Sequence, residues 1–291
     1  MNQGKVLVLG AGLVARPLVR YLLNHGFELT VADMVKSKAE ELIEGHERGR
    51  AITLNLDETE RLKELVAAAD LTVSLLPAPL HPRVAKECIV AGKHMVTASY
   101  VSPEMRALDE DARRAGVILL NELGVDPGID HMSIMRVVEH VHAKGGELVE
   151  LRSCCGGIPA PEAKDNPLAY KFSWSPAGVL VALTGPCLFL EKGERIDEEA
   201  GGLFRHVHET TIDDVGALEF YPNRDSLQYI DTYGLEGIET MFRGTFRYAG
   251  WAHLWEALWK VGLLDRSRRE DLAGKSWNEL LAELVDMDEP K

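Results

Sequence analysis

Cysteine is scarce in this chain. There are four in 291 residues, Cys88, Cys154, Cys155 and Cys187, and none has the spacing of a zinc site. A metal centre is therefore not expected, and a reducing, cytoplasmic setting is. No apolar run is long enough to span a membrane. No signal peptide is expected either, because Met1-Asn2-Gln3-Gly4-Lys5 leads straight into a strand-like run. Positive charge is in deficit, with 32 Lys and Arg against 46 Asp and Glu and a net charge of −14. That argues against nucleic acid or an anionic membrane as partner, and any carboxylate ligand must be met by arginines gathered locally. Repeats and low-complexity tracts are absent. What remains, 46% apolar and 27% charged residues, is an ordinary globular composition. The length suggests two domains with ample core.

One stretch near the N-terminus organises the rest. Residues 6–9 (Val-Leu-Val-Leu) read as a short buried strand. Gly10, Gly12 and Ala15 follow in the spacing G-x-G-x-x-A, and Leu13, Val14, Leu18, Val19 and Leu22 then recur with helical period. Strand, glycine turn and helix in this order form the dinucleotide fingerprint. Gly10 permits the turn, Gly12 lets backbone approach a pyrophosphate, and Ala15 lets the helix pack on the strand. The helix start offers free N–H groups and the positive end of its dipole. The acidic residue required at the end of the second strand is Asp33, after Glu28-Leu29-Thr30-Val31-Ala32. Its carboxylate is expected on the adenosine ribose, which favours NAD, with NADP as the alternative.

Strand and helix patterns alternate through residue 120, the signature of a parallel sheet. Strands are expected at 6–9, 28–33, 51–56, 71–76, 94–98 and 117–120. Helices are expected at 37–47, 58–69, 84–91 and 103–115. The fold class is α/β: an N-terminal Rossmann doubly wound parallel sheet with a second α+β substrate-binding domain. The boundaries are 1–125 for the NAD(P)-binding domain and 126–291 for the second. There, helices are expected at 129–143, 176–184, 252–261 and 277–284, and strands at 147–154, 218–221 and 240–248. The acidic tail, 285–291, is expected to fray. Ligand in a doubly wound sheet sits beyond the carboxyl ends of the strands. The residues to watch are therefore Gly10-Ala11-Gly12, Asp33, Pro77-Ala78-Pro79, Ser99-Tyr100 and Gly124-Val125-Asp126.

Several groups could carry chemistry. Tyr100, after the fifth strand, could donate a hydrogen bond or relay a proton, or simply pack in a loop. Asp126 could be an acid or base, or cap the helix that follows. Asp130 reads as a helix-dipole partner, and His131 as a catalytic base or, as is commoner for a lone histidine in a first helical turn, as structural. Cys154 and Cys155 end a strand and read as reactive thiols or as buried inert ones. Ser175 before Pro176 is an N-cap pattern. Arg224, Arg243 and Arg247 lie beside turns or strands, where arginine is either a bidentate carboxylate clamp or plain surface. The His140/His142 and His206/His208 pairs lack accompanying ligands and read as non-metal.

The strings SLLPAPLHPRVAKECI, MVTASYVSPEM, NELGVDPGIDHM, GGIPAPE, NPLAYKFSWSP, YPNRDS and RGTFRY follow one another along the chain. Together they resemble the glutamate-forming saccharopine dehydrogenases, also called saccharopine reductases. The resemblance implies a Rossmann domain followed by a saccharopine-binding domain, in lysine metabolism through α-aminoadipate. It implies an oxidoreductase that converts saccharopine, NAD(P)+ and water into glutamate and α-aminoadipate 6-semialdehyde. Cofactor would contact Ala11, Gly12, Leu13 and Val14, Asp33, Asn55 with Leu56, Leu76, Thr97, Ala98, Gly124, Val125, Asp126, and Ser173, Trp174 and Ser175. Substrate would contact Ser99, Tyr100, Asp126, Arg224, Thr245, Phe246 and Arg247. Asp126 and Tyr100 are the leading proton carriers, with Cys155 third. The implied partner is a small molecule, with a homodimer admitted as the assembly. Three departures stand out. The family's C-terminal part, which returns to complete the nucleotide domain, is missing. The family's Ser-Tyr-Cys-Gly-Gly reads Ser153-Cys154-Cys155-Gly156-Gly157 here. NADP-using fungal relatives carry Arg near Asp33, where this chain has Met34 and Lys36. Alternatives are a related imine-forming dehydrogenase on another amine, or a nucleotide-binding module without turnover.

Overall fold

The computed structural model describes residues 3–265, 267 and 270–285. The chain divides into two compact units, Met1–Ile134 and Met135–Lys291.

The first unit alternates β1 (Lys5–Leu9), α1 (Ala15–Asn24), β2 (Glu28–Asp33), α2 (Lys36–Ile43), β3 (Gly49–Thr53), α3 (Thr59–Ala68), β4 (Leu71–Ser74), α4 (His81–Ala91), β5 (His94–Thr97), α5 (Pro103–Arg106), α6 (Asp109–Ala115) and β6 (Leu119–Leu120). The six strands form one parallel sheet in the order β3-β2-β1-β4-β5-β6. This is the doubly wound topology expected from the alternation. A parallel sheet is covered on both faces, so its central strand must be apolar throughout. Accordingly, Leu7 and Leu9 of β1 join one core with Leu62, Val66, Val84 and Met95, while Val6 and Val8 join the other with Val19, Leu23, Val31 and Ala39.

Local chemistry decides several boundaries differently from the sequence pattern. The helix expected at 37–47 stops at Ile43, where Glu44 takes a left-handed conformation at φ 51° and closes the last turn. Glu44 gains ion pairs from Arg16 and Arg20 of α1. The helix expected at 103–115 is two, α5 and α6, broken at Ala107-Leu108. The sixth strand is only Leu119–Leu120. The third strand runs Gly49–Thr53 rather than 51–56, in register with Leu29 to Asp33 of β2.

The helix α7 (Ile129–His142) carries the chain past the unit boundary. The second unit holds β7 (Glu150–Cys155), α8 (Pro176–Thr184), β8 (Cys187–Glu191), β9 (Glu194–Glu198), β10 (His208–Ile212), β11 (Gly216–Pro222), α9 (Tyr229–Tyr233), β12 (Thr240–Tyr248), α10 (Trp251–Lys260) and α11 (Trp277–Leu284). Its sheet runs β10-β11-β12-β8-β9, antiparallel, with β7 added parallel to β12. β9 and β10 carry no strand signal strong enough to be expected, since Glu194-Arg195-Ile196-Asp197-Glu198 and His208-Glu209-Thr210-Thr211-Ile212 are mostly polar, and β8, although Cys187-Leu188-Phe189-Leu190 is an apolar run, is not among the expected strands. Hairpin pairing supplies their order instead. The core of this unit gathers Phe189, Phe242, Leu183, Leu203, Tyr221, Trp251 and Trp255. Ser175 caps α8 as expected, its hydroxyl accepting from Gly178 N at 3.1 Å with Pro176 at the first position. Glu219 of β11 is buried and accepts from the N–H groups of Gly250 and Ala252, which satisfies the start of α10. The tail expected to fray lies, from residue 286, outside the described residues.

Candidate active site

In a parallel sheet every carboxyl end points the same way, so the six strands of the first unit deliver their following residues to one edge. Gly10 to Val14, Asp33, Asn55, Leu76, Thr97 to Tyr100 and Gly124 to Asp126 all lie at or shortly after strand ends. The glycine turn fits a dinucleotide on three observations. Gly10 has φ 101°, and a Cβ there would stand 2.9 Å from the Leu75 carbonyl oxygen, so only glycine serves. A Cβ on Gly12 would meet nothing within 4 Å, which leaves open space for a pyrophosphate against bare backbone. α1 begins without a side-chain cap and without an acidic residue in its first turn, which leaves the positive end of its dipole to an anion. Leu13 and Val14 are exposed beside the turn.

Asp33 does something the sequence rule did not anticipate. Its Oδ2 accepts from Ala11 N at 2.8 Å and its Oδ1 from Val35 N at 2.9 Å. The carboxylate braces the glycine turn against the end of β2, and both oxygens are already engaged. Asn55 is likewise turned onto its own loop, accepting from Asp57 N at 3.0 Å. Leu76 packs against the core beneath the sheet edge.

The structure brings Tyr100 and Asp126 together across 26 residues: the phenol donates to Asp126 Oδ1 at 3.0 Å. Both are half-buried. The loop that carries Asp126 is tied to the end of β5. Glu122 N donates to Ser99 O at 3.0 Å and Leu123 N to Thr97 O at 3.1 Å. The Glu122 carboxylate accepts from Val101 N at 3.0 Å and lies 2.7 Å from His131 Nε2. Gly128, at φ 149°, sits so close to Gly124 that a Cβ would collide with its backbone. The Asp126-Pro127 bond is cis. Asp130 is not aimed outward; its Oδ1 accepts from Gly128 N at 2.6 Å, inside the turn that starts α7.

Sequence reasoning missed a histidine. His81 opens α4 and is 1% exposed. Its Nδ1 is 2.8 Å from Ser74 Oγ, and its Nε2 is 2.7 Å from Ser99 Oγ and 3.3 Å from Thr97 Oγ1. Burial lowers its pKa from 6.5 to about 4, so the ring is neutral at ordinary pH. The available signal was its place, one short loop after β4 at the ligand edge.

In the second unit, β7 and β12 run side by side, pairing Gly244 with Cys154 and Thr245 with Cys155. Tyr221 of β11 pairs with Thr245 from the other side. Cys155, Thr245 and Phe246 thus share one end of this sheet, half-buried. Arg224 follows β11, exposed, at φ 59°. Arg247 is 5% exposed, with its guanidinium 4.8 Å from the ring centre of Tyr170 and 5.2 Å from that of Trp251, and its Nη1 donating to Phe246 O at 2.6 Å. It is an arginine built into an aromatic cluster rather than one held out on the surface. Ser173, Trp174 and Ser175 are exposed ahead of α8. Cys88 and Cys187 are buried, and burial raises their thiols to about 11 and about 12, outside reactive use. Among the described residues no group of His, Cys, Asp and Glu is gathered for a metal ion, and no helix is long and apolar enough to cross a membrane.

Fold and site together define a protein with a doubly wound dinucleotide-binding unit joined to an antiparallel-sheet unit. Residues 6–120 match the saccharopine dehydrogenase NADP binding domain, and residues 124–288 match the saccharopine dehydrogenase C-terminal domain. The chain belongs to the saccharopine dehydrogenase family. It is 41% identical to the saccharopine dehydrogenase [NADP(+), L-glutamate-forming] of Schizosaccharomyces pombe, over 96% of this chain and 63% of that protein. It is 40% identical to the mitochondrial alpha-aminoadipic semialdehyde synthase of Bos taurus, over 97% of this chain and 31% of that one. The solved apo saccharopine dehydrogenase (L-Glu forming) of Saccharomyces cerevisiae superimposes with a TM-score of 0.85 at 36% identity, over 98% of this chain and 64% of that one. The chain therefore spans less than two thirds of these relatives.

The expected preference for NAD is corrected. The matching nucleotide-unit family is described as NADP binding, and the relatives from S. pombe and Pyricularia oryzae are named for NADP(+). The rule reads the acid after the second strand only as a ribose ligand, whereas Asp33 also braces the glycine turn by accepting from Ala11 N and Val35 N.

Proposed function

We propose that this chain oxidises the C–N bond of saccharopine with NADP, giving L-glutamate and α-aminoadipate 6-semialdehyde, or runs the reverse reaction. The observation that carries the reading is the Tyr100–Asp126 hydrogen bond of 3.0 Å at the carboxyl edge of the dinucleotide-type sheet. NADP, when bound, supplies the hydride acceptor. Gly10, Gly12 and the open start of α1 hold its pyrophosphate.

The carbon that becomes the aldehyde gives up a hydride, and the nitrogen beside it gives up a proton. Water then adds to the resulting C=N bond, a proton moves to nitrogen, and the C–N bond breaks. Each proton needs a positioned carrier. Tyr100 donates its own proton to Asp126 Oδ1, and its oxygen is proposed as the acceptor. A proton taken there is passed on as the phenol proton goes to the Asp126 carboxylate, and the pair returns it in the collapse step. Cys155 is the third candidate carrier that the resemblance to the family implies. The resemblance to the family assigns Arg224 and Arg247, with Ser99, Thr245 and Phe246, to the carboxylates of saccharopine, and Ser173, Trp174 and Ser175 to the cofactor. Four cysteines, none of them in a disulfide, fit the proposed reducing, cytoplasmic setting.

Purified protein incubated with saccharopine and NADP should produce the absorbance of NADPH. A folded sample with no turnover in either direction refutes the reading. A nucleotide-binding module without turnover binds NADPH in a calorimeter but transfers no hydride.

A further inference from the structure

His81 connects two places that the proposed chemistry treats separately, the end of β4 and the loop after β5. Ser74 Oγ has one side-chain partner among the described residues, His81 Nδ1 at 2.8 Å, and Ser74 is fully buried. A buried hydroxyl proton left without an acceptor costs more than an empty lone pair. Ser74 therefore donates to Nδ1. Burial keeps the ring neutral, so the single ring proton sits on Nε2. The nearest acceptor there is Ser99 Oγ at 2.7 Å, with Thr97 Oγ1 at 3.3 Å behind it. Thr97 Oγ1 also accepts from Ser99 N at 3.3 Å, which fixes the Ser99 backbone against the same ring. The reverse tautomer would strand the proton of Ser74 in the core.

We propose that His81 is a positioning residue: its Nε2–H holds the Ser99 oxygen as an acceptor, which leaves the Ser99 hydroxyl proton to be donated to an sp2 oxygen of the bound ligand. Ser99 then reads a carboxylate or a carboxamide oxygen at the sheet edge, one residue from Tyr100. Two sources carry that chemistry, a carboxylate of saccharopine and the carboxamide of the nicotinamide. The proposal rests on the reading of the first unit as one that binds dinucleotide and saccharopine.

The test has three arms. In the wild-type protein, nitrogen NMR of the histidine rings should show His81 protonated at Nε2 only and not titrating between about pH 5 and 8. The Nδ1–H tautomer overturns the proposal without any variant. In the second arm, Ser99→Ala should weaken one ligand about ten-fold, the scale of one hydrogen bond to a charged or strongly polar acceptor. NADPH affinity is read by its fluorescence and saccharopine affinity by calorimetry, so the ligand that loses affinity identifies the source. In the third arm, His81→Gln places an amide nitrogen where Nε2 was and should stay within about two-fold of wild type. His81→Asn reaches only the Nδ1 position and should match Ser99→Ala. Ser99→Ala without effect on either affinity overturns the proposal, as does an Asn variant equal to the Gln variant. Wild type that binds NADPH or saccharopine but does not turn over refutes the proposed reaction alone, and these three arms still decide the role of His81. Wild type that binds neither overturns both.

Discussion

The neutral His81 makes the first unit acid-sensitive in a way that can be isolated. Its folded pKa, about 4, lies below the unfolded value of 6.5. As pH falls, the unfolded chain therefore takes up the proton first. Stability is unaffected above the unfolded pKa, is lost progressively through the window from 6.5 to about 4, and loses no more below it. Linkage gives about 1 kcal/mol lost at pH 6, about 2 at pH 5 and about 3 at pH 4. His81→Gln removes the titration while keeping a polar group between Ser74 and Ser99. The free-energy difference between wild type and variant should then shift by these amounts in favour of the variant as pH falls. The assay must see the right unit. All five tryptophans, Trp174, Trp251, Trp255, Trp259 and Trp277, lie in the second unit, so their fluorescence is silent about the first. Pulse-labelling hydrogen exchange of the β1, β4 and β5 segments across urea reports the first unit directly. Parallel pH dependences for wild type and His81→Gln would refute the reasoning.

Three further outcomes are expected. Asp33→Ala should destabilise the first unit by about 1–2 kcal/mol, because the Ala11 and Val35 N–H groups lose their acceptor; the same exchange experiment reads it, and an unchanged β1–β2 region contradicts it. Phe242→Ala, at a fully buried ring packed on Phe189 and Phe220, should cost the second unit about 3–5 kcal/mol in urea unfolding followed by tryptophan fluorescence. Tyr100→Phe keeps the ring but removes the proton path to Asp126, so kcat should fall about 100-fold with the melting temperature unchanged; a normal kcat removes Tyr100 from the chemistry.

What the sequence determined by itself is what depends on local periodicity and turn chemistry. Residues 6–9 had to be a strand buried on both faces, Gly10 had to turn, and the alternation through residue 120 had to close a parallel sheet. Those features place Tyr100 and Asp126 beyond strand ends, because a strand's exit is legible wherever its apolar run stops. The side-chain partners were not legible. That Tyr100 meets Asp126 across 26 residues, and His81 meets Ser99 across 18, follows from β5 lying beside β4 and β6 in space. That Asp33 turns one carboxylate oxygen onto the backbone of Ala11 was likewise not legible. Arg247 looked like any arginine on a strand until Tyr170 and Trp251, 77 residues before it and 4 after, closed over it. β9 and β10 are polar by sequence and exist as strands because hairpin partners satisfy their backbone. A hydrophobic period records which face of an element is buried; hydrogen bonds and the ionisation of a buried ring depend on which distant residues arrive there, and only the tertiary structure decides that.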